Sequence, residues 1–225
     1  MGCAPNLLND DGTASMATAI LLSHHGLRRD LARFGRALRA SGELDPSKAD
    51  ALREEWKSYR ATLHGHHEAE DTRLFPHLRA AAAALAPTID RLTHDHRRID
   101  PLLDRGDQAF AELPDTGPAL GVVAALAELL EPHLAIEEEE VIPFLRDAKE
   151  FPSPASEAEL DVYAQGFAWG SHGVAPEVLA ELDRMLPEAL RVKLPEARAQ
   201  FAARCERVWG TRSAGAARTP IPSAE

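Results

Sequence analysis

Two stretches of the chain repeat one spacing of histidine, glutamate and proline, H-x-x-x-E-x-x-x-x-x-P, over residues 66–76 and 133–143. Positions four apart lie on the same face of an α-helix, so each stretch can direct one imidazole and one carboxylate toward the same point. Imidazole combined with carboxylate suits iron, manganese or zinc. The paired candidate ligands are His66 with Glu70 and His133 with Glu137.

Two further histidines have similar surroundings in the sequence. Nine of the ten histidines lie between His24 and His133, and both His24 and His96 precede a segment with two arginines and an aspartate. Each of the four helices predicted below therefore carries at least one candidate ligand. Burying such polar groups together without a metal costs several kcal/mol for each group. The repeated motif therefore predicts a metal centre rather than a solvated helix face.

Several other kinds of metal site do not match this spacing. The two cysteines, Cys3 and Cys205, stand near opposite ends of the chain, so no thiolate zinc site is expected. The zinc-protease motif H-E-x-x-H is absent. The ferritin-like Glu-x-x-His pattern is absent too, because an arginine and a glutamate stand three residues after the two motif glutamates. A mixed imidazole and carboxylate site remains.

Four long amphipathic helices can position these side chains. Apolar residues recur at intervals of three and four, and the segments Ser41-Gly42, Ala86-Pro87 and PDTGP interrupt the pattern. The predicted helices span residues 15–40, 46–84, 89–113 and 119–149. Short connections between them favour an all-α fold, an up-down-up-down four-helix bundle in which the candidate ligands converge at one level of the core.

The sequence around the bundle divides into further segments. Shorter helical patterns, including residues 175–190 and 194–209, follow the bundle and predict additional C-terminal helices packed as an accessory layer. The small, polar, proline-containing end predicts disorder. The predicted organisation is a flexible leader at 1–14, the four-helix bundle at 15–150, accessory helices at 151–210 and a disordered tail at 211–225.

Composition and charge limit the classes of partner that the protein is expected to bind. The 225 residues are 44% hydrophobic, which is enough for a substantial core, and the formal net charge is −11. Nucleic acids and anionic membranes need a basic surface, so neither is expected as a partner. No apolar run long enough to span a bilayer and no signal peptide are recognised in the sequence. We therefore expect a cytoplasmic protein.

At the motif residues the chain resembles the hemerythrin-like family, also called the HHE cation-binding family. The resemblance rests on HHGLRRDL, HHEAEDTRLFP, DHRRIDPLL and HLAIEEEEVIP, and it extends over residues 15–150. It implies a four-helix bundle around two non-heme iron ions joined by an oxygen bridge, Fe–O–Fe. It also implies that two carboxylates bridge the irons and that O2 binds at an open position. Zinc and manganese are the alternatives to iron.

The metal ligands implied by the resemblance are His24, His66, His67, Glu70, His96, His133 and Glu137. Two six-coordinate ions offer about twelve positions. Two bridging carboxylates, an oxygen bridge and five histidines fill all but about one of those positions, which leaves room for a small ligand. His67 is the first choice for the fifth histidine, and His94 or Asp100 are the alternatives.

One position departs from the oxygen-carrying hemerythrins. Their third helix offers a His-x-x-x-His pair, whereas this chain has Asp100 four residues after His96. Fewer imidazoles, or a third carboxylate, would open more coordination positions. This departure favours redox reactivity over a pure oxygen-carrier role.

Three functions remain open at this point. The first is a di-iron protein that binds O2, or a related small ligand such as nitric oxide or peroxide, for sensing, storage or protection. The second is a di-iron oxidoreductase, an oxidase or peroxidase acting on peroxide or a small organic substrate. The third is a metal-stabilised interaction bundle. No separate output domain is recognised, so sensing would need a redox or signalling partner protein.

Overall fold

The computed structural model describes residues 6–40 and 44–210, and within these ranges it contains helices and no strand. The α-helices are α1 (Met16–Arg39), α2 (Pro46–Ala69), α3 (Phe75–Ala81), α4 (Ala86–Ala111), α5 (Gly117–Ile136), α6 (Glu157–Gly170), α7 (Pro176–Met185) and α8 (Glu188–Trp209). The predicted all-α class is confirmed, and α6 to α8 are the additional C-terminal helices. The predicted tail at 211–225 lies outside the described residues.

The second and fourth predicted helices are not continuous α-helices. A π-helical turn, Glu70–Leu74, separates α2 from α3, and a 3-10 turn, Ala83–Leu85, follows α3. After α5 come a second π-helical turn, Glu137–Val141, and the 3-10 turn Ile142–Leu145. The predicted unbroken helices over 46–84 and 119–149 were therefore wrong in this detail. A proline shortly after each π turn explains the change, because proline cannot donate a backbone hydrogen bond.

The chain folds as two compact units. One comprises Met1–Arg29 with Val141–Glu225, and the other comprises Asp30–Glu140. The first half of α1 therefore belongs to the same unit as α6, α7 and α8, and the second half of α1 belongs to the unit that holds α2 to α5. We call the first the N-terminal–C-terminal unit and the second the central unit.

Helices α2 and α4 of the central unit run in opposite directions. Between α2 and α4, Trp56 Nε1 donates a hydrogen bond to Asp107, and Arg60 pairs with Asp104 earlier in α4. Because residues later in one helix meet residues earlier in the other, the pair is antiparallel. This agrees with the alternating directions predicted for the bundle.

A cluster of aromatic rings fills part of the core of the central unit. Trp56 stacks on Phe110 with ring centroids 4.5 Å apart, and Phe34 packs edge-on against both rings. Gly106 on α4 lies directly beneath the Trp56 ring, so a methyl group there would collide with the indole. The absence of a side chain at this position lets α2 and α4 approach closely enough to enclose Trp56.

In the N-terminal–C-terminal unit, the C-terminal helices pack on the first half of α1. The Trp169 ring at the end of α6 lies over Gly26, where an added Cβ would come within 2.6 Å of the indole. Arg29 donates hydrogen bonds to the carbonyls of Trp169 (2.8 Å) and His172 (3.1 Å). These contacts make α6 part of the core of this unit rather than a loosely attached segment.

Residues 6–14, the described part of the predicted leader, are not helical but make specific contacts within the same unit. Leu7 is buried, and its carbonyl accepts a hydrogen bond of 2.7 Å from Thr18 Oγ1 on α1. Asn9 Nδ2 donates to the carbonyl of Arg146 at 2.9 Å, and Arg146 donates to the carbonyl of Asn6. The remaining leader residues, 1–5, lie outside the described part of the chain.

One helical stretch, Gly117–Leu145, is long and apolar enough by composition to cross a membrane, which differs from the expectation that no run would qualify. The evidence for a membrane span is weak, because the core helix of a globular protein passes the same test. In α5 the side chains of Leu126, Leu130 and Leu134 are buried. Packing in the central unit explains the apolar character of these three residues, and 39% of the apolar window as a whole is buried.

Candidate metal centre

The two motif glutamates each begin a π-helical turn. The backbone N–H of Phe75 donates to the carbonyl of Glu70, five residues earlier, instead of to the fourth residue back. Pro76 follows at once, and its ring would collide with a carbonyl four residues earlier in a regular α-helix. The wider turn avoids that collision. Such turns are frequent at functional sites, because they change the direction of side chains relative to a regular helix.

Four buried side chains converge in the central unit, one each from α2, the first π turn, α4 and α5. The ligand atoms of His67, Glu70, His96 and His133 all lie within 4.8 Å of one another. His96 Nε2 is 3.3 Å from His133 Nε2 and 3.6 Å from Glu70 Oε2. The rings of His67 and His96 are stacked, with centroids 4.0 Å apart. This group offers three imidazole nitrogens and one carboxylate oxygen.

A second group of ligand atoms lies on the other side of the same carboxylate. Glu70, His66 and Glu137 have ligand atoms within 4.8 Å of one another. His66 Nε2 is 3.1 Å from Glu70 Oε1, whereas His96 Nε2 faces the other oxygen, Oε2. The two oxygens of Glu70 thus face two different groups. A carboxylate in this arrangement can bridge two cations.

The electrostatics of the site fit a cation. Glu70 is buried, and neither of its oxygens accepts a hydrogen bond from the described residues. Burial raises the pKa of Glu70 well above its ordinary value, and the nearby carboxylates of Glu137 and Asp71 raise it further. Without a positive charge the ionised form is therefore unfavourable. A bound cation would reverse this effect.

The spacing of the donors fits a cation as well. Two nitrogens bound to one ion at about 2.1 Å, at tetrahedral or octahedral angles, lie about 3.0–3.4 Å apart. The 3.3 Å between His96 Nε2 and His133 Nε2 falls in that range. The raised pKa of Glu70 and this nitrogen–nitrogen distance both agree with a metal ion bound by the described residues.

A family model for the hemerythrin HHE cation-binding domain matches residues 15–150. The chain belongs to this family. No curated protein and no solved structure matches the chain. The resemblance noted in the sequence is therefore confirmed, and with it the helical bundle and a cation-binding character. The two ligand groups of the central unit are candidate positions for a cation in this HHE domain.

The alternatives for the fifth histidine have different positions in the HHE domain. His67 lies in the first ligand group. His94 is exposed, and Asp100 is 55% exposed and faces His64 on the surface at 3.9 Å. Neither of these two side chains is in a ligand group formed by the described residues, so the geometry favours His67. His24 is fully buried on α1, and its assignment as a ligand stays a prediction.

Two side chains around the ligands show what the sequence could and could not reveal. Asp71 was not among the residues predicted for the site. Its Oδ2 is 3.0 Å from His96 Nδ1. Phe75, which lies immediately before the motif proline Pro76 in the sequence, stacks on His96 with ring centroids 5.8 Å apart. The local sequence, EAED, distinguishes Asp71 from its acidic neighbours only by its place next to Glu70.

Proposed function

We propose that this HHE domain holds two non-heme iron ions and binds O2, or a related small ligand such as nitric oxide or peroxide, for sensing, storage or protection. The observation that supports it is the pair of buried ligand groups that share Glu70. A di-iron centre supplies redox-active ions with an open coordination position. The mixed nitrogen and oxygen donors, without a thiolate, suit iron, and zinc and manganese are the competing ions.

The proposed ligands divide between two ions. His67, His96 and His133 would hold one ion, and His66 and Glu137 would hold the other. Glu70 would bridge the two, since its oxygens face different groups. His24 is proposed as a ligand on the strength of its sequence motif and its burial. With the ligands divided in this way, each six-coordinate ion would have at least one coordination position that no protein side chain fills.

The surroundings of the ligands support reactivity with a small molecule. The ligand side chains are buried, and the Phe75 ring covers one face of His96. An apolar, buried site limits access of water and larger molecules and alters the redox potential of a bound metal. We infer a small ligand such as O2, nitric oxide or peroxide rather than a large organic substrate, because the donor side chains are buried.

We also propose a cytoplasmic location and a separate redox or signalling partner protein. The formal net charge of −11 supports the first proposal, because an acidic surface disfavours anionic membranes. A basic patch on the partner would complement the acidic surface and increase the rate of association.

The experiment that tests the proposed function combines metal analysis with optical spectra. The protein is loaded anaerobically with Fe(II), and spectra are recorded before and after air is admitted. About two irons per chain and new charge-transfer bands are expected. Bands that fade when oxygen is removed indicate reversible binding, and irreversible oxidation would point to the oxidase or peroxidase alternative. Zinc alone in the purified protein, or no metal uptake, would contradict the proposal.

A matched pair of variants makes the test specific to the site. Glu70→Gln removes the shared carboxylate, and Glu68→Gln changes an exposed glutamate two residues earlier on α2. The first variant should bind at most one iron per chain and lack the oxygen-dependent bands. The second should behave as the wild type. Equal iron content in both variants would mean that Glu70 is not the bridging group.

A further inference from the structure

The two ring nitrogens of His96 have different surroundings. Nε2 points into the first ligand group, 3.3 Å from His133 Nε2 and 3.6 Å from Glu70 Oε2. Nδ1 points the other way and is 3.0 Å from Asp71 Oδ2. A neutral imidazole carries its proton on one nitrogen and a lone pair on the other. Only a nitrogen with a free lone pair can bind a metal, so the position of the proton decides whether His96 is a ligand.

An ionised carboxylate accepts hydrogen bonds and cannot donate them, so the bond to Asp71 requires the proton on His96 Nδ1. The lone pair is then on Nε2, where the ligand group is. We propose that Asp71 is a positioning residue that fixes this tautomer of His96 and its ring orientation, and so makes Nε2 a metal donor. This inference rests on the metal-binding part of the proposed function and not on the identity of the ion.

The carboxylate of Asp71 is itself held in place by α4. Thr93 Oγ1 donates a hydrogen bond of 3.0 Å to Asp71 Oδ1, while Oδ2 accepts from His96. Thr93 and His96 are three residues apart on α4, so they lie on the same face of that helix. Both oxygens of Asp71 are therefore engaged by one helix. This arrangement restrains the carboxylate against rotation away from the imidazole.

The π turn explains how adjacent residues serve the same site from different sides. Glu70 and Asp71 are consecutive in the wide turn Glu70–Leu74. The Glu70 carboxylate is buried among the ligands, and the Asp71 side chain is 34% exposed. Glu70 lies beside Nε2 of His96, and Asp71 lies beside Nδ1. One short segment thus supplies a candidate ligand and the group that orients another.

A positioning role for Asp71 differs from an ordinary structural ion pair because it requires the proton of His96 to be on Nδ1. A structural role needs only attraction between the two side chains. It does not depend on whether His96 Nε2, which faces the ligand group, carries a proton. A positioning role requires that the Nδ1–H form persist in the metal-free protein and that its loss weaken metal binding. Both properties can be measured without iron, oxygen or catalytic turnover.

The closing experiment compares Asp71→Ala, Asp71→Asn and the wild type in two measurements. Nitrogen-15 NMR of the metal-free protein reports the tautomer of His96. Competition with a chelator reports the affinity for Co(II). Asp71→Ala should lose the Nδ1–H preference and bind Co(II) about 10- to 100-fold more weakly. Asp71→Asn keeps an oxygen acceptor, so its tautomer and affinity should lie between those of the other two proteins.

A matched control removes a carboxylate elsewhere on the central unit. Asp90 pairs with Arg79 on the surface, so Asp90→Ala removes the same charge without contacting His96. Its Co(II) affinity should equal that of the wild type. If Asp71→Ala does not fold, Thr93→Val tests the same arrangement by removing one hydrogen bond to Asp71, and an affinity loss of about fivefold is expected.

The outcomes distinguish this inference from the proposed function. Unchanged tautomer and Co(II) affinity in folded Asp71→Ala, or in Thr93→Val where the first variant is unfolded, would overturn the positioning role. Co(II) binding by the wild type without any uptake of iron would contradict the di-iron function and leave the role of Asp71 intact. A wild type that binds neither ion would overturn both.

Discussion

Glu70 is a residue whose ionised form is unfavourable in the metal-free protein. Burial, and then the charges of Glu137 and Asp71, raise its pKa well above the ordinary value of 4.5. A raised folded-state pKa contributes stability below about pH 4.5 that is lost as the pH rises toward the folded-state value. A difference of one between the folded-state and unfolded-state pKa corresponds to about 1.4 kcal/mol of stability. The amount by which buried Glu70 lowers the free energy of unfolding should therefore increase toward neutral pH.

We predict that metal-free Glu70→Gln is more stable than the metal-free wild type at pH 8 and that the difference vanishes near pH 4.5. Glutamine has a similar shape and no charge, so the variant does not bury an ionised carboxylate as the pH rises. Thermal unfolding in the presence of a chelator, repeated between pH 4.5 and pH 8, measures the difference. The exposed Glu68→Gln should show no such trend. A stability difference that does not change with pH would contradict a raised pKa at Glu70.

A second prediction at the scale of residues concerns the fifth histidine. His67 lies in a ligand group, whereas His94 is exposed. His67→Ala should lower metal affinity by more than the roughly 10- to 100-fold that loss of an outer partner costs, because it removes a donor atom. His94→Ala should bind as the wild type does. Chelator competition with Co(II) measures both, and a larger loss in His94→Ala would reverse the assignment.

The helices were predictable from sequence, but their interruptions were not. Apolar residues at intervals of three and four located α1 at Met16–Arg39 against a predicted 15–40. The π turn Glu70–Leu74 adds backbone to one turn without breaking the apolar pattern visibly, so the periodicity concealed it. The prolines after both motifs were the available indication. Their effect is local, because each removes one backbone donor.

The ligand groups were largely predictable for a related reason. His and Glu at positions four apart must share a helix face, so His66 with Glu70 and His133 with Glu137 could be paired before any tertiary structure was known. The contact between Asp71 and His96 joins different helices and depends on the unpredicted π turn.

The close approach of α2 and α4 predicts that a side chain at Gly106 destabilises the protein. Gly106 lies under Trp56, and that ring is fixed by stacking on Phe110 and by its hydrogen bond to Asp107. Gly106→Ala should lower the free energy of unfolding by about 1–3 kcal/mol, because the indole cannot move aside. Urea denaturation measures this, and the metal-free protein is used so that ligand binding does not contribute.

Gly121 on α5 provides the matched control for this substitution. It is exposed, and an added Cβ there would meet no atom within 4 Å. Gly121→Ala should raise stability by about 0.5–1 kcal/mol, since alanine restricts the unfolded chain and favours helix. The two variants share one chemical change and should have opposite signs. Equal effects would mean that helix propensity, and not packing against Trp56, determines the result at Gly106.

At the scale of the molecule, the C-terminal helices have a closer relation to the N-terminal helix than the sequence indicated. They were predicted as an accessory layer, yet α6 and α8 share a compact unit with the first half of α1. The contacts join residues more than 140 positions apart, such as Arg29 with His172. No local pattern reports such pairing. The half of α1 that carries His24 therefore depends for its packing on α6 and the residues that follow it.

Trp169 provides the test of this dependence. Its ring lies on Gly26, and Arg29 donates to its carbonyl. Trp169→Ala should cost about 3 kcal/mol through loss of packing, and it should speed hydrogen exchange in residues 16–29. Val192→Ala on α8 removes an apolar side chain that is 74% exposed, so it should change stability by less than about 0.5 kcal/mol.

A double variant distinguishes direct contact from a general loss of stability. Gly26→Ala should destabilise the wild type, because the new methyl group meets the Trp169 ring. In the Trp169→Ala background the same change should be neutral or stabilising by up to about 1 kcal/mol, because the obstacle is gone and alanine favours helix. The difference between the two effects is the coupling between α1 and α6. Additive effects would show that α1 does not depend on this contact, and the C-terminal helices would then be the accessory layer that the sequence predicted.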